Sequence, residues 1–230
     1  MATYLVDALL DRATVLLQDP THVRWPLPEL VQWLNDGQLE IAATKPNAFV
    51  RNEKLQLVPG TKQTLPDDAV SLIDIVRNAG TTGDIIGNSI RLVSREILDT
   101  QIPDWHTTAL ANAVVKHYVY SMLDPKTFYV YPPQPATGFG YVDAIYVAAP
   151  TDATQGGTIT LDSIYAPALL NYVMFRAYSK DAEYAANAEQ AKAYLGMWTA
   201  QLGGKVAAET VSSPTNTNLG GYNPNIPRPK

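Results

Sequence analysis

The chain of 230 residues contains no cysteine. A disulfide framework, a thiolate metal site and a cysteine nucleophile are excluded together. Histidine is nearly as scarce: only His22, His106 and His117 occur. No two of them stand at the His-x-x-x-His spacing that puts two imidazoles on one helix face for a metal. Charged residues make up 17%, against about a quarter in ordinary domains. The 22 acidic and 17 basic residues leave a net charge of −5 and no basic stripe of the kind a generic DNA binder displays. No apolar run approaches the roughly 18 residues of a membrane-spanning helix. The opening residues lack a basic region and carry Asp7 inside their apolar stretch, unlike a secretory signal. The expectation is a soluble protein made in the cytoplasm, with no membrane partner.

Catalytic motifs are absent too. The chain has no Gly-x-x-x-x-Gly-Lys phosphate loop, no Gly-x-Ser-x-Gly elbow, no Gly-x-Gly-x-x-Gly fingerprint after a strand and no Asp-x-Asn-x-Asp-Gly calcium loop. Two constellations invite a catalytic reading, Asp36 with Glu40 one helical turn apart, and Asp104 beside His106. A carboxylate pair works as acid and base only in a cleft that drives the two pKa values apart. A solvated helix face explains Asp36 and Glu40 more simply, and ordinary loop hydrogen bonds explain His106. His117 falls in an expected strand, as a surface or interface residue. No catalytic, cofactor-binding or metal-ligating residue is assigned. A hydrolase of cell-wall or capsule polymer, acting through either constellation, is the enzymatic alternative.

What is present is enough apolar matter for a core, 46% of the residues, and an excess of proline, 17 in all against a usual share of about 5%. Leu5, Leu9, Ala13 and Leu16, beside Val6, Leu10 and Leu17, predict an amphipathic helix over about 3–18, which Asp19-Pro20 ends. Leu27, Leu30, Val31, Leu34 and Ile41 predict a second over about 26–44. The short link makes the two an αα-hairpin. From about 49 to 150 the pattern is strand-like, including His117–Met122, Thr127–Tyr131 and Tyr141–Val147, with 132–140 as the connection between the last two. These spacings suggest a small antiparallel sheet. Ser94 reads as the cap of a short helix inside this region. Helical period returns over about 162–203, capped by Asp162, with a second helix starting near Ser179–Glu183 and Gly203-Gly204 as the stop. The fold class is therefore α+β, an α-helical bundle (N-terminal hairpin plus C-terminal helices) with a central antiparallel β-rich insertion. It forms one domain over 1–208, followed by a flexible Pro/Asn/Thr-rich tail over 209–230.

The 13 tyrosines outnumber the 4 phenylalanines, and Tyr118, Tyr120, Tyr129, Tyr131, Tyr141 and Tyr146 fall on the expected strands. An apolar ring with a polar tip suits a surface that meets a partner. The same spacing also fits tyrosines that merely cover a sandwich face, while stacking on single-stranded nucleic acid needs a basic groove. The candidate interface residues are Trp25, Trp33, Tyr129, Tyr131 and Tyr141, with Tyr222, Arg228 and Lys230 in the weakly basic tail.

Three stretches taken together resemble a known family. They are Trp25-Pro-Leu-Pro-Glu-Leu-Val-Gln-Trp-Leu-Asn-Asp-Gly-Gln-Leu-Glu-Ile41, then Phe128-Tyr-Val-Tyr-Pro-Pro-Gln-Pro135 with Tyr141-Val-Asp-Ala-Ile-Tyr-Val-Ala-Ala-Pro150, and Leu169-Leu-Asn-Tyr-Val-Met-Phe-Arg-Ala-Tyr-Ser-Lys-Asp-Ala-Glu183. Their order and character are similar to the head-to-tail adaptors of tailed bacteriophages, podovirus-type and tail tubular protein A-like, over roughly residues 1–205. The resemblance implies a non-enzymatic virion protein without cofactors, a helical bundle with a β-rich insertion. Its copies would form a ring, usually dodecameric, between the portal protein and the tail nozzle protein. Double-stranded DNA would pass through the lumen without sequence-specific binding, and a C-terminal segment would dock on the portal. An acidic subunit suits such a channel, because phosphate contacts dominate DNA affinity. A neck or tail-completion protein that does not touch portal is the alternative in the same setting.

Overall fold

The computed structural model describes residues 4–181 and 183–212, and from 206 onward only the backbone. The segment expected as a tail, with Tyr222, Arg228 and Lys230, lies outside the described residues from 213 on. In chain order the elements are β1 (Tyr4–Leu5), α1 (Val6–Leu17), α2 (Leu27–Thr44), β2 (Val50–Gln56), β3 (Gly60–Thr64), β4 (Ala69–Asn78) and β5 (Arg91–Leu92). There follow α3 (Arg95–Gln101), β6 (His117–Tyr120), β7 (Thr127–Gln134), β8 (Tyr141–Ala148), β9 (Thr158–Ile159), α4 (Ala166–Lys180) and α5 (Ala185–Ser212). The protein is a mixed α+β structure with five α-helices and several sheets among the described residues. It divides into two compact units, one of the described residues up to Ala48 and from Pro150 on, the other Phe49–Ala149.

In the helical unit, α1 buries Val6, Leu9, Leu10, Ala13 and Leu17. Its end comes one residue before the expected Asp19-Pro20 stop, because Gln18 takes a left-handed conformation (φ 56°) and its N–H turns back to the carbonyl of Val15 at 3.3 Å. Asp19 instead organises the following loop. Its carboxylate accepts the backbone N–H groups of Val23 (3.1 Å), Arg24 (2.9 Å) and Trp25 (3.0 Å). These bonds, the one from Trp25 foremost, hold its carboxyl below the usual carboxylate range. Pro26 then starts α2, with Pro28 in the first turn where a missing N–H costs nothing.

Asp162 accepts the N–H of Ile164 at 3.1 Å and leads through a short 3-10 turn into α4. α4 lies against α1, α2 and α5 and buries Leu169, Leu170, Tyr172, Val173, Met174 and Ala177 among others. β1, directly before α1, and β9, ahead of α4, form a two-residue antiparallel pair. The helix expected to stop at Gly203-Gly204 runs on to Ser212. A glycine ends a helix by adopting positive φ, and neither of these does so.

In the β unit the single antiparallel sheet expected from sequence is two sheets, ordered β2-β8-β4 and β3-β7-β6-β5. The turn at Pro59-Gly60 does not close a hairpin: β2 pairs with β8 whereas β3 pairs with β7. One pair, β5 with β6, is parallel. The intervening chain, which holds α3, is the long crossover a parallel pair requires. Ser94 stands at the cap of α3, but its side chain makes no cap hydrogen bond. The two sheets share one apolar cluster, with Leu72, Ile75 and Tyr146 from the first and Tyr118, Phe128 and Val130 from the second. β7 continues through Pro132 and Pro133, which the sequence assigns to a connection. Prolines lack only the donor, and here the carbonyls do the pairing. Tyr131 accepts from Lys116 N–H at 2.8 Å, and Pro133 from Asn112 N–H at 2.9 Å.

Among the described glycines of the helical unit, Gly37 of α2 has the closest neighbours. A Cβ there would stand 2.9 Å from Tyr172 Cδ1 and 3.2 Å from Leu169 Cδ2. Replacing Gly37 by valine is expected to destabilise the protein by about 1–3 kcal/mol through overpacking. Thermal unfolding followed by circular dichroism reads this as a lowered Tm. An unchanged or higher Tm would contradict the close approach of α2 to α4.

Candidate assembly surfaces

The segment Trp33-Leu-Asn-Asp-Gly37 carries a distinct contact at almost every position. Trp33 is 6% exposed and Leu34 fully buried. Asn35 clamps the chain after β8: its Nδ2 donates to the Ala153 carbonyl (3.1 Å) and its Oδ1 accepts the Ala153 N–H (2.8 Å). Asp36 pairs with Arg176 of α4 at 3.7 Å, and Gly37 admits Tyr172. Trp25 is 5% exposed. Its Nε1 donates to the Ala177 carbonyl at 3.1 Å, and its ring meets Tyr178 edge-on at 6.5 Å. The Arg24 guanidinium lies 4.8 Å over the same ring while its Nε holds Asp181 at 2.6 Å. The sequence makes Trp25 and Trp33 interface candidates; both are buried within the chain, Trp25 anchored on α4 through Ala177 and Tyr178.

The strand tyrosines divide by face. Tyr118 and Tyr146 are core residues with their hydroxyls tied off, Tyr118 donating to Asp74 at 2.8 Å and Tyr146 to Glu53 at 2.7 Å. Tyr120 is half-buried, accepting from Leu72 N–H and donating to the Pro125 carbonyl, both at 3.3 Å. Tyr129, Tyr131 and Tyr141 are half-buried. Tyr129 stands edge-on to Trp105 (6.3 Å) and His106 (6.1 Å), and Tyr131 stacks parallel to His117 at 6.4 Å. Tyr141 lies against Gly83, a position of positive φ (84°). Thus Tyr129, Tyr131 and Tyr141 come together on one unit but in separate local contacts. The Nδ1 of His117 has no partner among the described residues, and burial, then Arg91 and Lys116, lower its pKa.

The catalytic constellations do not assemble a site. Asp36 is engaged with Arg176, and Glu40 is exposed on α2. His106 stacks on Trp105 at 3.7 Å and shares a 2.8 Å hydrogen bond with Thr61 through Nδ1, while Asp104 is exposed and points its backbone carbonyl at Thr107 N–H. Among the described residues no group of three or more His, Cys, Asp or Glu could hold a metal, and no helix is long and apolar enough to cross a membrane.

Sequence reasoning missed the apolar side chains left in solvent. On α1, Val15 is 75% exposed and Leu16 47%. With Leu170 of α4 they line a shallow depression rimmed by Asp11 and Arg12. At the turn between β6 and β7, Met122 and Leu123 are 79% and 97% exposed. The sequence signal was an apolar pair set directly against Asp124-Pro125, where a turn must put side chains outside.

Two outcomes test this geometry. Replacing Asn35 by aspartate keeps the acceptor and removes the donor to Ala153, so a loss of about 1–3 kcal/mol is expected from the unpaired carbonyl, read from urea unfolding. A fully stable Asn35→Asp protein would show that the clamp does not hold this loop. The second outcome is alkaline. Burial first, and then the bond to Glu53, push the Tyr146 hydroxyl up to about 12; Tyr118 is raised in the same way, with Asp74 as its partner. An unfolded tyrosine titrates near ~10. The folded state therefore holds both protons more tightly, and the Tyr146 contribution is complete below about pH 10 and is lost as pH rises from there through about 12. Urea midpoints measured across that window should fall less steeply in Tyr146→Phe than in the parent; equal slopes would refute the assignment.

No curated protein matches the chain. A family model, described as SU10 adaptor protein, matches residues 4–218. That match runs through both units, α2 and its Asn35 clamp, the tyrosine-bearing strands and α4 alike. The family is one of phage head-to-tail adaptors, structural virion proteins rather than enzymes. The chain belongs to the SU10 adaptor protein family.

Proposed function

We propose that copies of this chain assemble into a ring, dodecameric as the family resemblance implies, that joins the portal protein to the tail nozzle protein of a phage particle. Double-stranded DNA passes through the lumen without sequence-specific binding. The helical unit is the bundle of this adaptor, with α4 at its centre, and the residues 209–230, carrying Tyr222, Arg228 and Lys230, dock on the portal. The protein is made in the host cytoplasm and ends in the neck of the virion.

The family match over residues 4–218 is the observation that carries this reading. The distribution of exposed apolar groups supports it. A ring built head to tail needs two different complementary faces on each subunit, and large apolar side chains stand in solvent on both units. The net charge of −5 suits a channel that DNA must slide through.

Native mass spectrometry of the full chain, alone and mixed with its portal, tests the proposal. A closed oligomer bound to portal is expected, and electron microscopy of that complex should show a ring coaxial with it. Free monomer under both conditions would refute the ring. An oligomer that ignores portal but binds other tail proteins would favour a neck or tail-completion role instead.

A further inference from the structure

The turn between β6 and β7 is built, not slack. Asp124 N–H donates to the Ser121 carbonyl (3.1 Å), Thr127 N–H to the Asp124 carbonyl (3.2 Å), and Leu123 N–H to Ser121 Oγ (3.3 Å). The Tyr120 hydroxyl closes it by donating to the Pro125 carbonyl. This framework holds Met122 and Leu123 outward, the latter 97% exposed. A hydrogen-bonded turn that presents two large apolar side chains to water has nothing to gain from them in its own chain.

The opposite shape lies on the helical unit. α1 packs Leu9, Leu10, Ala13 and Leu17 inward, yet its outer side carries Val15 and Leu16. Exposed Asp11 and Arg12 share that outer side, so Val15 and Leu16 form an apolar patch edged by charge. Val15, Leu16 and Leu170 line a depression of about 390 Å³, room for the side chains of a methionine and a leucine. The charges match as well. The depression is rimmed by Asp11 and Arg12, and the turn is flanked by Asp124 and Lys126. Among the described residues none of these four is in an ion pair.

We infer that the Met122–Leu123 turn of one copy seats in the Val15–Leu16–Leu170 depression of the next, with Asp124 facing Arg12 and Lys126 facing Asp11. The occupant is a second copy of this chain, and the contact is heterologous, so that repetition propagates around a ring. The inference rests on the ring reading and names the surface that reading requires.

The absence of native cysteine allows a direct test. In the full chain, a variant carrying both Leu16→Cys and Leu123→Cys should give, on oxidation, a ladder of disulfide-linked multimers, and each single variant should not. Leu123→Asp and Leu16→Asp change exposed positions and should keep the parent's circular dichroism and Tm. Each should weaken self-association about tenfold or more, as expected for one large apolar side chain lost from a contact. Asp124→Arg should weaken it too, and adding Arg12→Asp should restore it. If the parent assembles but the double-cysteine variant yields no ladder and Leu123→Asp assembles normally, the surface is wrong and the ring stands. If Leu123→Asp assembles normally yet loses portal, the turn belongs to portal and the inference is overturned. A parent that stays monomeric with and without portal sinks the ring reading and this contact with it.

Discussion

Asn78, at the end of β4, reaches away from its own sheet. Its Nδ2 donates to the carbonyls of Val115 (2.8 Å) and Asn88 (3.0 Å), and its Oδ1 accepts the Val115 N–H (2.8 Å). Much of the structure depends on this kind of bond, a buried or half-buried side-chain amide that satisfies the backbone of a distant loop. Gln134 holds Asn112 and Gly140 in the same way, Gln63 closes the turn after β2 on Val58 and Gly60, and Asn35 holds Ala153. Each amide supplies both a donor and an acceptor, so it can replace a missing strand partner. Removing one leaves two or more backbone groups unpaired, at roughly 1–3 kcal/mol each where they are buried. In a chain without disulfides these contacts take the place of covalent staples.

The amides also make the two-sheet topology workable. Where β2 leaves one sheet and β3 joins the other, the connecting backbone has no ladder to enter, and Gln63, 2% exposed, accepts the Val58 N–H and donates to the Val58 carbonyl. Where β7 ends in prolines, Gln134 carries the chain toward Gly140, at which a side chain would collide with the Ala113 carbonyl. The result is a β unit whose connections are tied down by side-chain hydrogen bonds as its strands are by the ladder, and the Ser121–Lys126 turn is held by hydrogen bonds of its own.

This explains which parts were legible in the sequence. The helical period of α1 and α2 depends on residues three and four apart, so it can be read locally, and so can the alternation of Tyr141–Ala148. Two of the amide contacts bridge positions far apart in the chain, Asn35 with Ala153 and Asn78 with Val115, and no local pattern announces them. The same limit hid the second sheet: β2 and β3 are neighbours in sequence but not in pairing. Proline in β7 and glycine in α5 misled for a related reason. Each breaks an element only if the missing donor or the positive φ is needed there, and tertiary context decided that neither was. The aromatic residues were legible as amphipathic but not as inward or outward, because Trp25 finds its acceptor on α4 and Tyr146 finds its carboxylate on β2.

The burial of Trp25 and Trp33 changes what the composition means. Trp25, Trp33, Tyr118 and Tyr146 are inside, whereas Tyr184 is 67% exposed and Tyr129, Tyr131 and Tyr141 are half-buried. Most of the exposed apolar groups are aliphatic, and among them Val15, Leu16, Met122 and Leu123 stand beside charges that no ion pair engages among the described residues. Rings buried in a contact give much area for few lost rotamers. Aliphatic knobs set among charges give smaller contacts whose orientation the charges fix. In the proposed ring, a subunit that joins identical neighbours in one sense of rotation is served by the second kind. The strength of a closed ring comes from many modest contacts made together, and each contact need only be directional.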